Sequence, residues 1–391
     1  MKILVFDRVM RVVGHRLPYA SLVADALGKE HEVVLAIPTE LRGNTDADAY
    51  LTSNFQTDYF PTRQKKKALG TALETRKNLR DLLQKHEPDA VAIPTADGFA
   101  PTCGLLAMLG DQSFKETSLH ICVMRGLQVL PERPLKQWLC RMSWRALKKG
   151  PWQNILLIDP REWSRLKENE KKQIGLCPDP VPAPLPISRT AARELLGLPT
   201  EGKFIVSPGE QSHRKGTDLL IRGFAATQFE DSTYLVLMGK LTDANRQLLS
   251  KYMEDEHFRK KVIFQDRFLT ETEFQHAILA SNVVATPYRS VDRPSGIVLR
   301  CMTWERMIVF NDRGWLNWIN QKYQVGVGAD AQNAKAYGEA LRRGLQESEK
   351  FQTSTTAQAF ANFNSEDNFR AIWKHIITSG HVSSPPEFLV S

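Results

Sequence analysis

Two stretches of the 391-residue chain combine charged residues and glycines in patterns that can do chemistry. In "SPGEQSHRKGTDLLIRGF" (207–224) a strand pattern ends at Gly209 and a polar loop follows. Arg214, Lys215 and Gly216 then run into a helix pattern at Thr217 and Asp218. Two cations beside a helix amino terminus oppose the negative charge that grows on a departing diphosphate. The plain alternative is a solvated basic turn capped by Thr217 or Asp218. In "PYRSVDRPSGIVLRCMTWERMIV" (287–309) a loop with Asp292 leads through Ser295, Gly296 and Ile297 into an apolar turn of helix bearing Arg300, then returns to strand.

The first half carries smaller signals, each at the end of a strand pattern. "DRVMRVVGHR" places Gly14 and His15 just before a helix. A glycine there lets backbone amides approach a phosphate, or it is a turn glycine beside a surface histidine. "AIPTADGFAPT" (92–102) holds Asp97, which either accepts hydrogen bonds from sugar hydroxyls or caps the following helix. "VMRGLQ" (123–128) holds Arg125, suited to a phosphate or to an ion pair within that half. There is no GxGxxG dinucleotide fingerprint, GxSxG elbow, HExxH or P-loop, and no paired carboxylate of DxD type in a donor loop that would demand a metal.

These residues need a scaffold, and the hydropathy pattern supplies one. Apolar runs at 2–6, 32–38, 89–94, 119–124, 154–159 and 174–177 alternate with helical spacing at 17–30 and 134–149. "PDPVPAPLPIS" (178–188) interrupts as a stiff extended linker. Strand runs then restart at 203–209, 233–239, 261–266 and 282–288. Such alternation indicates parallel βαβ units in two doubly wound α/β domains, whose ligands bind at the carboxyl ends of the strands.

Composition narrows the class. Apolar residues make up 42% and charged residues 25%, as in ordinary globular proteins. No run approaches the roughly 20 apolar residues of a membrane span. Asp7 and Arg8 cut the first apolar run, so no secretory signal is expected. Five scattered cysteines suggest neither a disulfide framework nor a zinc site, and a cytoplasmic setting is expected. The net charge of +8 favours anionic partners.

"SPGEQSHRKGTDLLIRGF", "YLVLMGK", "VIFQDRFLTETEF", "ASNVVATPY" and "SGIVLRCMTWERMIV" follow one another in an order that resembles the donor domain of GT-B glycosyltransferases. The likeness is closest to retaining glycosyltransferase family 4 (group 1). It is specific over roughly 185–376 and only architectural over 1–180. It implies two Rossmann-like domains facing across a cleft. The first, 1–182, would bind the acceptor and be completed by a helix at about 365–380; the second, 188–364, would bind a nucleotide sugar.

It further implies that Lys215 holds the donor diphosphate, helped by Arg214 and by the backbone amides of Ser295, Gly296 and Ile297. Gly14, Gly209 and Arg267 are further donor-binding candidates, and His15, Asp97 and Arg125 are the acceptor-binding ones. Gly209 or Glu210 falls where the family often has an arginine, and Arg125 falls near a histidine that many members use at the sugar. The family's paired glutamates align with Asp292 and Arg300; the second would accept hydrogen bonds from a ribose, which a guanidinium cannot do. With the lysine and glycines kept, an active site with altered donor recognition is expected. Transfer from a nucleoside diphosphate sugar to a hydroxyl, with retention and no metal or other cofactor, follows from the resemblance, in glycan, polysaccharide or glycolipid synthesis. The alternative is a non-catalytic GT-B protein that binds a nucleotide sugar or glycan.

"PLKQWLCRMSWRALKKG" (134–150) speaks to a partner. Leu135, Trp138, Leu139, Met142 and Ala146 share one helical face, and Lys136, Arg141, Arg145, Lys148 and Lys149 ring the rest. That suits an anionic membrane surface, or an ordinary helix burying the face in its core. With the basic stretch at 63–80 it suggests a lipid-linked acceptor and a peripheral place on the inner membrane face. Nucleic acid is not an expected partner, because aromatic residues are not interleaved with the basic runs.

Overall fold

Strands such as Lys2–Phe6 (KILVF), Glu32–Pro38 (EVVLAIP) and Ala90–Ile93 (AVAI) are apolar without alternation and buried on both faces. Chains of this kind bury themselves as parallel strands under helices. The computed structural model, which describes residues 1–8, 16–62, 68–112, 114, 116–124, 134–290 and 292–390, shows two such sheets.

The first unit comprises Met1–Pro180 and Asn364–Ser391. Its sheet runs β3-β2-β1-β4-β5-β6-β7, all parallel, from β1 (Lys2–Phe6), β2 (Glu32–Pro38), β3 (Gln56–Phe60), β4 (Ala90–Ile93), β5 (Ser118–Val123), β6 (Asn154–Leu157) and β7 (Ile174–Leu176). The second unit is Val181–Phe363. Its parallel sheet runs β10-β9-β8-β11-β12-β13, from β8 (Lys203–Pro208), β9 (Thr233–Met238), β10 (Val262–Gln265), β11 (Val283–Thr286), β12 (Met307–Asn311) and β13 (Gly326–Ala329). The two-sheet α/β class is the one the pattern predicts. The strand order reverses at β1/β4 in one unit and at β8/β11 in the other, which opens a crevice at the carboxyl end of each sheet.

The chain leaves the first unit within the proline-rich stretch and returns to it for the Glu366–Ser379 helix. Ser365 caps that helix through Asn368 N, and Gly380 ends it at φ +73°. Phe369, Trp373, Ile376 and Ile377 are buried with Leu17, Tyr19, Val23 and Leu27 of the Arg16–Gly28 helix. Truncating so large a buried ring as Trp373 costs about 3–5 kcal/mol. The return is secured by polar contacts as well. The Tyr19 hydroxyl donates to the Asp179 carboxylate, and Asp179 N donates to Asn364 Oδ1 at 3.0 Å.

His120 on β5 is buried, lies 2.8 Å from Ser118 Oγ, and accepts at Nδ1 from Asn154 Nδ2 at 3.0 Å. Asn154 Nδ2 also donates to Gly380 O, which ties the end of the Glu366–Ser379 helix to the sheet. Burial pushes the imidazole pKa down to about 4.

The Pro134–Leu147 helix packs inward by Trp144, Ala146 and Leu147. Gly104 of the Ala100–Met108 helix lies against it so closely that a Cβ there would stand 1.8 Å from Ala146 O. This corrects the ordinary-core reading of its sequence face. Ala146 is buried, but Trp138, Leu139 and Met142 are 57%, 50% and 40% exposed.

Candidate functional site

The site in the second unit is built on a tight turn at the end of β8. Gly209 has φ +92°, a backbone conformation that only glycine adopts freely. Gln211 then turns inward, fully buried, and organises the loop. Its Nε2 donates to Ser207 O (2.7 Å) and Gly209 O (2.9 Å), and its Oε1 accepts from the Thr217 hydroxyl (3.1 Å). Its own carbonyl accepts from Asn245 Nδ2 at 3.1 Å.

The loop closes with the single turn His213–Lys215 and Gly216. Gly216 has φ +72°, and a Cβ there would lie 2.0 Å from Pro287 O, so this position must be glycine. That contact brings the 287–295 loop against the turn that bears Lys215. Arg289 ties the two loops. Its backbone N donates to Arg214 O at 3.0 Å, and its guanidinium donates to His213 O (2.8 Å) and to both Asp218 oxygens (2.6 and 2.8 Å).

Lys215 Nζ therefore rests over the Tyr288 ring, 3.9 Å from its centre. It makes no hydrogen bond or ion pair among the described residues. Burial, and then Arg214 beside it, push the ammonium pKa down to about 7, with Glu210 pulling the other way. Tyr288 is itself buried, fixed from behind by Asn311 Nδ2 on its carbonyl (2.7 Å), and its hydroxyl is hydrogen-bonded to the Ser295 side chain.

Ser295 is the N-cap residue of the Gly296–Thr303 helix, yet its side chain caps no backbone amide. The first amides of that helix keep their donors, and its partial positive charge adds to that of Lys215. Ile297 is buried beside Gly209, its Cδ1 4.0 Å from where a glycine Cβ would stand. Two contacts thus join segments far apart in sequence: Lys215 and Ser295 both meet Tyr288, and Ile297 lies against Gly209. The capped-turn alternative is corrected: Gly216 occupies the cap position, Thr217 bonds Gln211, and Asp218 holds Arg289.

The remaining candidates are placed differently. Arg214 is exposed and paired with Glu210 at 3.2 Å. Arg267 forms a two-pronged pair with Glu273, whose carboxyl that hydrogen bond pushes down to about 2. Arg300 donates to Glu271 Oε1 at 2.8 Å and lies over Phe274 at 5.2 Å. Asp292 is exposed on the loop between Tyr288 and Ser295.

In the first unit, Asp97 follows β4, but the cap position of the next helix falls at Phe99, so the capping alternative is corrected there too. Gly14, His15 and Arg125 lie outside the described residues. The crevice there is held by Asp7 at the end of β1. It is fully buried and bonded to Thr95, with Arg16 3.1 Å away. Burial raises its carboxyl to about 6 despite Arg16, and the charge of Asp97 adds to the rise.

Sequence reasoning passed over Tyr288, Gln211, Arg289 and Asp7. An acidic residue directly after a buried strand was a usable signal for Asp7; the other three show their roles only through contacts distant in sequence.

No family model matches the chain, and no curated protein sequence does. Solved structures do. Sucrose-phosphate synthase from Thermosynechococcus elongatus superposes with TM-score 0.72 at 13% identity, over 97% of this chain and 98% of that one. Anabaena HepE in complex with UDP gives 0.68 at 13% identity, over 97% and 100%. WaaG, a glycosyltransferase involved in lipopolysaccharide biosynthesis, gives 0.63 at 13% identity, over 97% and 100%. The chain has the GT-B fold. In GT-B terms the Lys215 site lies in the carboxyl-terminal Rossmann-like unit, at the switch point between β8 and β11.

Proposed function

We propose that the protein is a glycosyltransferase that moves a sugar from a nucleoside diphosphate to a hydroxyl acceptor. The observation that carries this is Lys215. It is a half-buried ammonium with no ion pair among the described residues, on the Tyr288 ring, beside uncapped helix amides, at a sheet switch point. The likeness to HepE, solved with UDP and with UDP-glucose, supports the ligand class.

In this reading the bond between the anomeric carbon and the diphosphate oxygen breaks, and its electron pair stays on the diphosphate. Lys215 and the Ser295–Gly296–Ile297 amides meet that charge as it develops, which lowers the barrier only because the charge is larger in the transition state. The acceptor hydroxyl forms the new C–O bond on the same face, and its proton passes to the departing phosphate oxygen. Configuration is retained, and charge neutralisation is assigned to Lys215 and the amides rather than to a metal. Arg300, held by Glu271, marks altered contacts on the nucleoside side, and Asp292 stands on the loop above the sugar. The acceptor is a glycan or lipid-linked hydroxyl, met in the cytoplasm at the membrane surface. No described helix is long and apolar enough to cross a membrane.

The test is a thermal-shift screen with UDP, GDP, ADP and their common sugars, followed by transfer and hydrolysis assays with whichever binds. A ligand at 100 times its Kd stabilises by about 2.7 kcal/mol. Binding with turnover supports the proposal. Binding without turnover leaves a nucleotide-sugar-binding protein, and no binding at all removes the donor site.

A further inference from the structure

We propose that the adjoining Ala100–Met108 and Pro134–Leu147 helices form a docking face for an anionic lipid bilayer. Both belong to the first unit and are locked together by the Gly104–Ala146 contact. Their inward faces are already spent on Cys103, Gly104, Trp144 and Leu147. What remains outside is apolar: Leu105, Met108 and Leu109 at the end of one helix, Trp138, Leu139 and Met142 on the other. Leu109 is 76% exposed. The second unit, almost as long, exposes only Leu195, Phe264 and Phe268 among its described large apolar residues.

Charge selects the occupant. Arg141 and Arg145 share one side of the helix at four-residue spacing, and Lys149 follows in the turn just beyond it; all three are exposed. None makes an ion pair or hydrogen bond among the described residues, and 134–150 contains no acidic residue. Lys148 is engaged, by Glu170 and the Trp144 ring. Like charges at this spacing destabilise a helix by a few tenths of a kcal/mol per pair, so these cations are tolerated for an external counter-charge. Cations beside exposed Trp, Leu and Met match a surface with phosphates above and acyl chains beneath. A second copy is a poor occupant, because a two-fold contact would set these cations near their own copies. Nucleic acid would meet the cations but leave the leucines and methionines in water.

This gives a location to the membrane association proposed above. It is read without donor or acceptor, so loss of vesicle binding and loss of transfer are separate outcomes. The experiment is co-sedimentation of the full chain with phosphatidylcholine vesicles, with and without phosphatidylglycerol. The parent should pellet with the anionic vesicles and stay in solution with the neutral ones. R141Q/R145Q/K149Q should weaken binding about 100-fold, from roughly fivefold per cation near the surface. W138S/L139S/M142S and, independently, L105S/M108S should each lower binding at least tenfold, as about 25 cal/mol per Å² of buried apolar area implies. The control L195S, exposed on the other unit, should bind as the parent does. All these positions are exposed, so melting temperatures should match the parent; a set that melts early is set aside for the other. A parent that ignores anionic vesicles overturns the proposal. So do both apolar sets binding like the parent, equal pelleting on neutral lipid, or a dimer that the apolar substitutions dissociate.

Discussion

Two basic regions of this molecule treat their charge in opposite ways. Around the loops that bear Lys215, arginine after arginine faces a carboxylate: Arg214 has Glu210, Arg267 has Glu273, Arg289 has Asp218 and Arg300 has Glu271. Lys215 has none among the described residues and is half-buried on an aromatic ring with its pKa drawn down to about 7. On the Pro134–Leu147 helix the order is inverted. Exposed Arg141 and Arg145, with Lys149 just beyond, have no ion pair or hydrogen bond among the described residues and stand beside exposed apolar side chains. A single half-buried ammonium without a carboxylate selects one small anion held in a fixed place. A row of exposed, unpaired cations can meet only an extended anionic surface. Net charge cannot tell these apart; the pairing of each cation can.

The sharpest way to break the comparison is Lys215→Ala. It should lower transfer by about 10²–10³-fold, the cost of removing a charge used in the transition state. Arg214→Ala, whose cation is exposed and already has Glu210, should do far less. Equal losses in the two variants would mean that pairing does not distinguish a working cation from a solvated one.

The pH dependence of donor binding comes next. A diphosphate binds the protonated lysine, so its affinity should be flat below pH 7. It should fall by about tenfold per pH unit above it, as the empty site loses its proton. Isothermal titration with the nucleoside diphosphate sugar that the screen selects, whose phosphates do not titrate near neutrality, should also show proton uptake near pH 7. No uptake would remove Lys215 from the anion. The series should run upward from neutral pH because of His120. The unfolded chain protonates that ring near its ordinary pKa of about 6.5, whereas the folded chain resists until about 4. Stability is therefore fully present above about 6.5 and is lost as pH falls toward 4.

The smallest effect belongs to Arg300→Glu. It sets a carboxylate beside Glu271 in place of the 2.8 Å pair. Donor Kd should change by about tenfold with kcat within about twofold, because a nucleoside-side contact touches substrate and transition state alike. Adding Glu271→Arg should restore the parent Kd. A collapse of kcat in the single variant would place Arg300 in the chemistry instead.

Much of the scaffold could be read directly. β1, β2, β4, β8 and β9 are apolar runs too short for helices, and parallel burial makes such runs stand out. β3 (QTDYF), with three polar residues, and β13 (GVGA), with two glycines, escaped because neither forms an apolar run; both lie at sheet edges. An edge strand needs less apolar sequence, and glycines blur what remains. In the site, Lys215, Gly209 and the Ser295–Gly296 turn were visible as glycines and charges at strand ends. Tyr288 was not, because a tyrosine in an apolar run looks like core until a lysine from another loop is found on its face.

The sequence by itself therefore determined two α/β halves, a proline-marked passage between them and the loops where chemistry would sit. Apolar runs, helical spacing and glycine turns are local properties that a chain declares over a few residues. Only the tertiary structure decided which cations are free and which helical face is outside. Arg214, Lys215, Arg267 and Arg300 are equally basic on paper, and whether each has a carboxylate within 3–4 Å depends on how distant loops meet. Trp144 with Leu147, and Trp138 with Met142, satisfy helical spacing equally well. The position of the sheet and the close approach of Gly104 turned the first pair inward and left the second exposed.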